Sequence, residues 1–270
     1  MNRALTMLYM LHVLPVIFLA MAVSAQARAE NLTREQVDAT VARLDRAIAA
    51  APGIARNYVE RGDAYALLND FQRAVADYSS ALLLDDAQDD AYFGRGMAYG
   101  RMGLVDTGVA DLSVYIARHP DSSVAYTKRG VRNIWRGNLQ EAERDLTRAV
   151  ELDPGNAEAH DDLGVVHAKQ NRLGIAAKHF STAIQLDPSY QKAYHNLAIC
   201  YFMAGQHRHA LTVVDAGLNL DADNRSSLVL KSAILQALGR VAEAREISDH
   251  AEFLPEENWS ERTAIGGASK

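Results

Sequence analysis

Residues 89–122 read DDAYFGRGMAYGRMGLVDTGVADLSVYIARHPDS, and this 34-residue stretch, repeated with variation along the chain, decides the fold. Its Gly103 belongs to a series, Asn69, Gly103, Gly137, Asn171, Gly205 and Gly239, that recurs every 34 residues. Six in-frame hits by chance are on the order of one in a million, so the period is real. Gly and Asn tolerate a positive φ, which is what a helix ending in a left-handed residue requires. Each member of the series is therefore read as the end of a helix. Seven residues earlier stands a second small position, Gly62, Gly96, Gly130, Gly164, Ala198 and Ser232. Five residues later comes a third, Ala74, Gly108, Ala142, Ala176, Ala210 and Ala244. Small residues at both let two helix backbones approach closely. Around them apolar residues return at helical spacing, as in Ala142, Leu146, Ala149 and Val150. Pro52, Pro120, Pro154 and Pro188 share one further frame and would stop the second helix of each pair. The unit is a helical hairpin.

These residues resemble the tetratricopeptide repeat, whose 34-residue unit carries an aromatic, a Leu-Gly pair, a Tyr, an Ala, an aromatic, an Ala and a Pro. The second unit matches with Tyr92, Arg95-Gly96, Tyr99, Gly108, Leu112 and Pro120. The fourth matches with His160, Leu163-Gly164, His167, Ala176, Phe180, Ala183 and Pro188. Asp86 and Ala222 at the Pro position and Ser232 at the Gly position depart from the pattern. The resemblance implies an all-α, right-handed superhelical solenoid of antiparallel helix pairs, with units starting near Ala55, Asp89, Ser123, Ala157, Gln191 and Arg225 and spanning residues 55–258. Residues 30–54 form an N-terminal half-repeat that caps the array, and 259–270 form a flexible tail, with Trp259 a candidate to fold back on the last hairpin.

The N-terminus reads as an export signal. Arg3 precedes an apolar run, residues 4–23, and Ala27 and Ala29 form a small-x-small cleavage site, so the mature chain begins near Glu30. Because the run is long enough to span a bilayer, an uncleaved anchor through residues 4–23 is the alternative. Losing residues 1–29 removes Arg3 and Arg28 and no acid, which moves the net charge from −6 to −8. An acidic chain with no basic stripe argues against nucleic acid. The lone Cys200 excludes an intramolecular disulfide, so stability must come from the apolar core. Asn31-Leu32-Thr33 and Asn258-Trp259-Ser260 fit the N-glycosylation pattern, which matters only in a eukaryotic secretory pathway.

Arg61, Arg95 and Arg129 stand where the family pattern has Leu, and in the same units Asp77, Asp111 and Asp145 follow 16 residues on. The fourth and fifth units carry Leu163 with His179 and Leu197 with Val213, so the charges vanish together. Sixteen residues on is the facing helix, which predicts an Arg–Asp bridge inside each of the first three hairpins, with Tyr58, Tyr92 or Tyr126 one turn before the Arg. These pairs read as structural, fixing register.

In this family the first helix of each unit lines the concave surface, at its fifth, ninth and twelfth positions. Carried over, these are Val59 and Asp63; Phe93 and Met97; Thr127, Val131 and Ile134; Asp161 and Val165; and His195, Ile199 and Phe202. Relatives that clamp an acidic C-terminus place Lys and Asn at positions five and nine; Phe93, Met97, Thr127 and Val131 replace them here. A largely apolar trough instead suits an amphipathic helix or an extended segment with bulky side chains. The competing reading is that these residues touch the neighbouring repeat or the chain's own tail.

Other chemistry is weaker. His160, His167, His179, His195, His207 and His209 crowd the fourth and fifth units, but the first two occupy aromatic core positions. Asp161 and His195 alone do not close a zinc site. Cys200 lies among apolar residues, an inert thiol rather than a nucleophile. Residues 94–100 have the wrong spacing for a dinucleotide fingerprint. The expectation is a non-catalytic adapter with no cofactor and no metal, binding another exported or envelope protein. It would be periplasmic or secreted, the alternatives being a homo-oligomeric assembly module and a His-rich metal carrier or enzyme.

Overall fold

The computed structural model describes residues 32–255. The signal or anchor segment, both glycosylation triplets, Trp259 and the tail lie wholly or partly outside them. Among the described residues there are thirteen α-helices and no strand. The chain divides into two compact units, one reaching Asp86 and the other running from Ala87 to Glu257.

In the first unit, α1 (Arg34–Ala50) precedes the hairpin of α2 (Ala55–Leu67) and α3 (Phe71–Leu84). A capping box starts α1: Thr33 Oγ1 accepts from Gln36 N–H at 3.3 Å, and Gln36 Oε1 accepts from Thr33 N–H at 2.8 Å. Val37 and Leu44 of α1 are buried, as are Ala74, Tyr78 and Ala81 of α3. The Tyr78 ring covers Gly62, where a Cβ would stand 2.8 Å from Cε1.

The second unit holds five hairpins: α4 (Asp89–Arg101) with α5 (Val105–Arg118), α6 (Ser123–Trp135) with α7 (Leu139–Leu152), α8 (Ala157–Lys169) with α9 (Leu173–Leu186), α10 (Gln191–Met203) with α11 (His207–Leu218), and α12 (Arg225–Ala237) with α13 (Val241–Glu252). Each helix packs on the next, and the first helices of successive hairpins also meet one another. They make one continuous face. The core repeats with the frame: Leu146 and Leu163 bury together, as do Phe180 with Leu197 and Val214 with Leu228. Each such side chain contributes about 1.5–3 kcal/mol.

All six hairpins turn in the same way. Asn69 and Asn171 have φ 59°, and Gly103, Gly137, Gly205 and Gly239 have φ 73–77°. The N–H of the next residue then reaches back five residues at 2.8–2.9 Å, as from Leu104 to the Tyr99 carbonyl and from Arg172 to the His167 carbonyl. This pattern satisfies carbonyls that the helix end would orphan. The fold is an all-α repeat solenoid. No described helix is long and apolar enough to cross a membrane.

Candidate functional site

Within the hairpins, the arginines at the seventh position face the second helix. Arg61 gives Nε and Nη2 to Asp77 at 2.7 Å each, and Nη1 to Asp45 of α1 at 2.6 Å. Arg95 holds Asp111 at 2.7 and 2.9 Å, and Arg129 holds Asp145 at 2.9 and 2.6 Å. The bidentate bonds to Asp77 and Asp111 push the Arg61 and Arg95 pKa values above the usual range. Tyr58, Tyr92 and Tyr126 lie under the guanidiniums at 5.6–5.8 Å. Tyr65 and Tyr99 add a second ring one turn later, at 5.8 and 5.9 Å. The sequence carried a signal for this second pair, since both sit at the repeat's own Tyr position. Each of these three bridges to Asp77, Asp111 and Asp145 joins the two helices of one hairpin, and Arg61 also ties its hairpin to α1.

On the first-helix side, the first unit places Val59 in its core and leaves Asp63 exposed, accepting from Tyr78 Oη at 2.7 Å. In the second unit, Phe93, Met97, Val131, Ile134, Val165, Ile199 and Phe202 are half-buried. Part of their surface serves packing: Phe93 meets Tyr115 at 5.1 Å, and Ile134, Val165 and Phe202 border the core clusters.

Two polar groove residues do not present their side chains to solvent. Thr127 donates to the Ser123 carbonyl at 2.9 Å and accepts from Asn156 Nδ2 at 3.1 Å. It is buried because Asn156, which also caps α8, closes over it. Asp161 is fully buried as well, accepting from Asn196 Nδ2 at 2.9 Å and meeting Lys192 Nζ at 2.9 Å. Lys192 also reaches Asp162 at 3.2 Å, so one ammonium serves two buried carboxylates. Burial raises the Asp162 pKa to about 7 against the pull of Lys192, while the two carboxylates hold Lys192 charged. His195 Nδ1 lies 3.1 Å from Ser227 Oγ, and burial lowers its pKa against the pull of the Asp161 carboxylate.

Sequence reasoning missed the ladder that links successive first helices. Lys128 meets Glu158 at 2.6 Å and Lys192 meets Asp162 at 3.2 Å, each pair 30 residues apart. Opposite charges at that interval were the available signal. Arg132 of α6, buried against Gly100 of α4, was missed as well.

Among the described residues, no group of three or more His, Cys, Asp or Glu is arranged to hold a metal ion. Cys200 is buried, with Sγ donating to the Leu173 carbonyl at 3.1 Å, and burial raises its pKa. Residues 94–100 are helical, so they form no phosphate loop.

Four family models described as tetratricopeptide or TPR repeat match residues 62–103, 90–122, 136–190 and 170–234. Together they cover more than half of the chain. No curated protein matches it. Among solved structures, YrrB, described as a TPR protein with an unusual peptide-binding site, is 23% identical, with 68% of this chain and 95% of that one covered and a TM-score of 0.54. PilW, described as a widely conserved type IV pilus biogenesis factor, is 22% identical over 72% of this chain and 90% of that one, with a TM-score of 0.67. A tetratricopeptide repeat protein from Parabacteroides merdae is 18% identical over 83% and 89%, with a TM-score of 0.69. With its 34-residue frame, its left-handed turns and these matches, the chain belongs to the tetratricopeptide repeat family.

Proposed function

We propose that the protein is a non-catalytic interaction scaffold whose second unit holds a segment of another protein along the face made by α4, α6, α8, α10 and α12. The observation that carries this reading is the apolar row on that face. Phe93, Met97, Val131, Ile199 and Phe202 are half-buried, and Trp135 and Met203, at the ends of α6 and α10, are 54% and 59% exposed. Solvated apolar surface in a row is what an amphipathic helix or an extended bulky segment covers. The likeness in fold to a protein described as having a peptide-binding site, and to a pilus biogenesis factor, supports the reading. The N-terminal 29 residues favour export, so the partner is another exported or envelope protein.

The test is in vivo crosslinking with mass spectrometry of the wild type beside a Phe93→Asp, Phe202→Asp double variant of unchanged helicity. Selective loss of one partner supports the first-helix face. Retention of every partner moves the site elsewhere on the molecule.

A further inference from the structure

The hairpin arginines follow a rule that Arg132 breaks. Arg61, Arg95 and Arg129 keep 18–21% of their side chains exposed, and each holds an aspartate through two nitrogens. Arg132, on α6, is 2% exposed, and no described carboxylate lies within ion-pairing distance of it. Its Nη1 and Nη2 donate to the Lys128 and Met97 carbonyls at 3.0 and 3.4 Å, and its Nε has no partner. The guanidinium lies against Gly100 of α4, where a Cβ would stand 2.7 Å from Nε. Trp135 covers it, with the ring centroid 5.5 Å from Cζ. Burial, reinforced by the nearby charge of Arg101 and opposed by Glu158, brings its pKa down to about 10, so it stays protonated at neutral pH. Glu158 is already engaged by Lys128 at 2.6 Å. A buried charge is costly unless paired, and Arg61, Arg95 and Arg129 are each paired with an aspartate.

We propose that the seam between α4 and α6 is an anion site in which Arg132 receives the carboxylate of an acidic side chain carried by the bound protein segment. Trp135 swings aside to admit that side chain and packs on its stem, and Arg101 adds to the local positive field. The counter-ion missing from the free protein comes with the ligand. Since positions five and nine hold Phe93, Met97, Thr127 and Val131, this is not the Lys/Asn clamp of relatives. The inference rests on the reading that the first-helix face binds a partner segment.

The experiment uses the mature chain with Trp259→Phe, which leaves Trp135 as the only tryptophan. Hexaglutamate is the probe, with hexalysine and inorganic phosphate as comparisons. The expected result is a saturable change in Trp135 fluorescence with hexaglutamate alone. It should weaken with salt, fall at least tenfold in Arg132→Met, and be partly kept in Arg132→Lys. The free Arg132→Met protein should melt at or above its parent, because an unpaired buried charge is gone, whereas Arg95→Met should melt lower because Asp111 is orphaned. No saturable response, equal binding by hexalysine, or a melting temperature that falls in Arg132→Met as in Arg95→Met would overturn the proposal and make Arg132 a packing element. A response to phosphate but not to hexaglutamate would also overturn it. Partner loss in Phe93→Asp, Phe202→Asp with the partner kept in Arg132→Met would remove this inference and leave the binding face intact. Arg132-dependent hexaglutamate binding with the partner kept in both variants would do the reverse.

Discussion

Asp111 is buried beneath Arg95, which holds both of its oxygens. Removing that carboxylate leaves a guanidinium that is only 19% exposed without its partner, so Asp111→Ala should cost about 2–3 kcal/mol, somewhat below the range for fully buried pairs. Asp121 is exposed, and Asp121→Ala should stay within about 0.5 kcal/mol. Equal urea midpoints for the two variants would show that the pair contributes no more than a surface charge. Glycines make a second contrast. A Cβ on Gly164 would stand 2.5 Å from Phe180 Cε1, inside a packed hairpin, so Gly164→Ala should destabilise by about 1–3 kcal/mol. Nothing lies within 4 Å of the corresponding position on Gly174 in α9, where Gly→Ala should stabilise by up to about 1 kcal/mol through helix propensity. Opposite shifts in midpoint are expected; shifts of the same sign would mean that backbone spacing at Gly164 is not set by the Phe180 ring.

At the scale of the element, the fourth hairpin has exchanged an ion pair for imidazoles. Where the second has Tyr92, Arg95, Tyr99 and Asp111, it has His160, Leu163, His167 and His179. The His160 and His167 rings lie 5.6 and 5.2 Å from that of His179, and His160 Nδ1 is 3.3 Å from His179 Nδ1. Burial lowers all three pKa values, and for His179 burial together with the other two rings brings it to about 4. Arg172 also pushes His167 down, Glu143 opposes it, and the Pro154 carbonyl favours charge on His160. Since the folded state binds protons less readily than the unfolded one, this stability is present above the ordinary histidine pKa of about 6.5 and is lost as pH falls toward 4. Asp162 works the other way: with its pKa raised to about 7, its contribution is full at low pH and fades as pH rises through 7. The informative quantity is therefore a difference. His160→Tyr, His167→Tyr, His179→Val, which installs the residues of the fifth hairpin, should lose less melting temperature than the wild type between pH 7 and 5. Each kcal/mol spared corresponds to about 2–4 °C. Parallel melting curves would rule out the imidazoles as the acid-labile element.

At the scale of the whole molecule, stability is the sum of hairpins and their nearest-neighbour seams, with no disulfide available from the single Cys200. A scaffold that binds a partner on its first-helix face should itself be monomeric, so light scattering of the mature chain should give one chain mass. A fixed multiple of that mass would favour assembly of copies. N-terminal sequencing of the chain recovered from the cell envelope should begin near Glu30; a chain that still starts at Met1 and sediments with membranes would favour a tether.

The sequence alone determined what depends on local geometry. A left-handed residue every 34 positions marks each turn because only Gly or Asn adopts that φ cheaply, and helical periodicity assigns the flanks. The 16-residue interval between Arg95 and Asp111 puts both on facing helices of one hairpin, so that contact too follows from short-range spacing. The candidate face was legible only as a set of positions. Which of them reach solvent was settled by residues about 30 positions away: Asn156 covers Thr127, and Lys192 and Asn196 claim Asp161. The same holds for Arg132, whose lack of a counter-ion becomes visible only once α4 brings Gly100 against it. Only the tertiary structure decided these points, because burial and charge pairing depend on how neighbouring hairpins stack, and a repeat pattern specifies that stacking only on average.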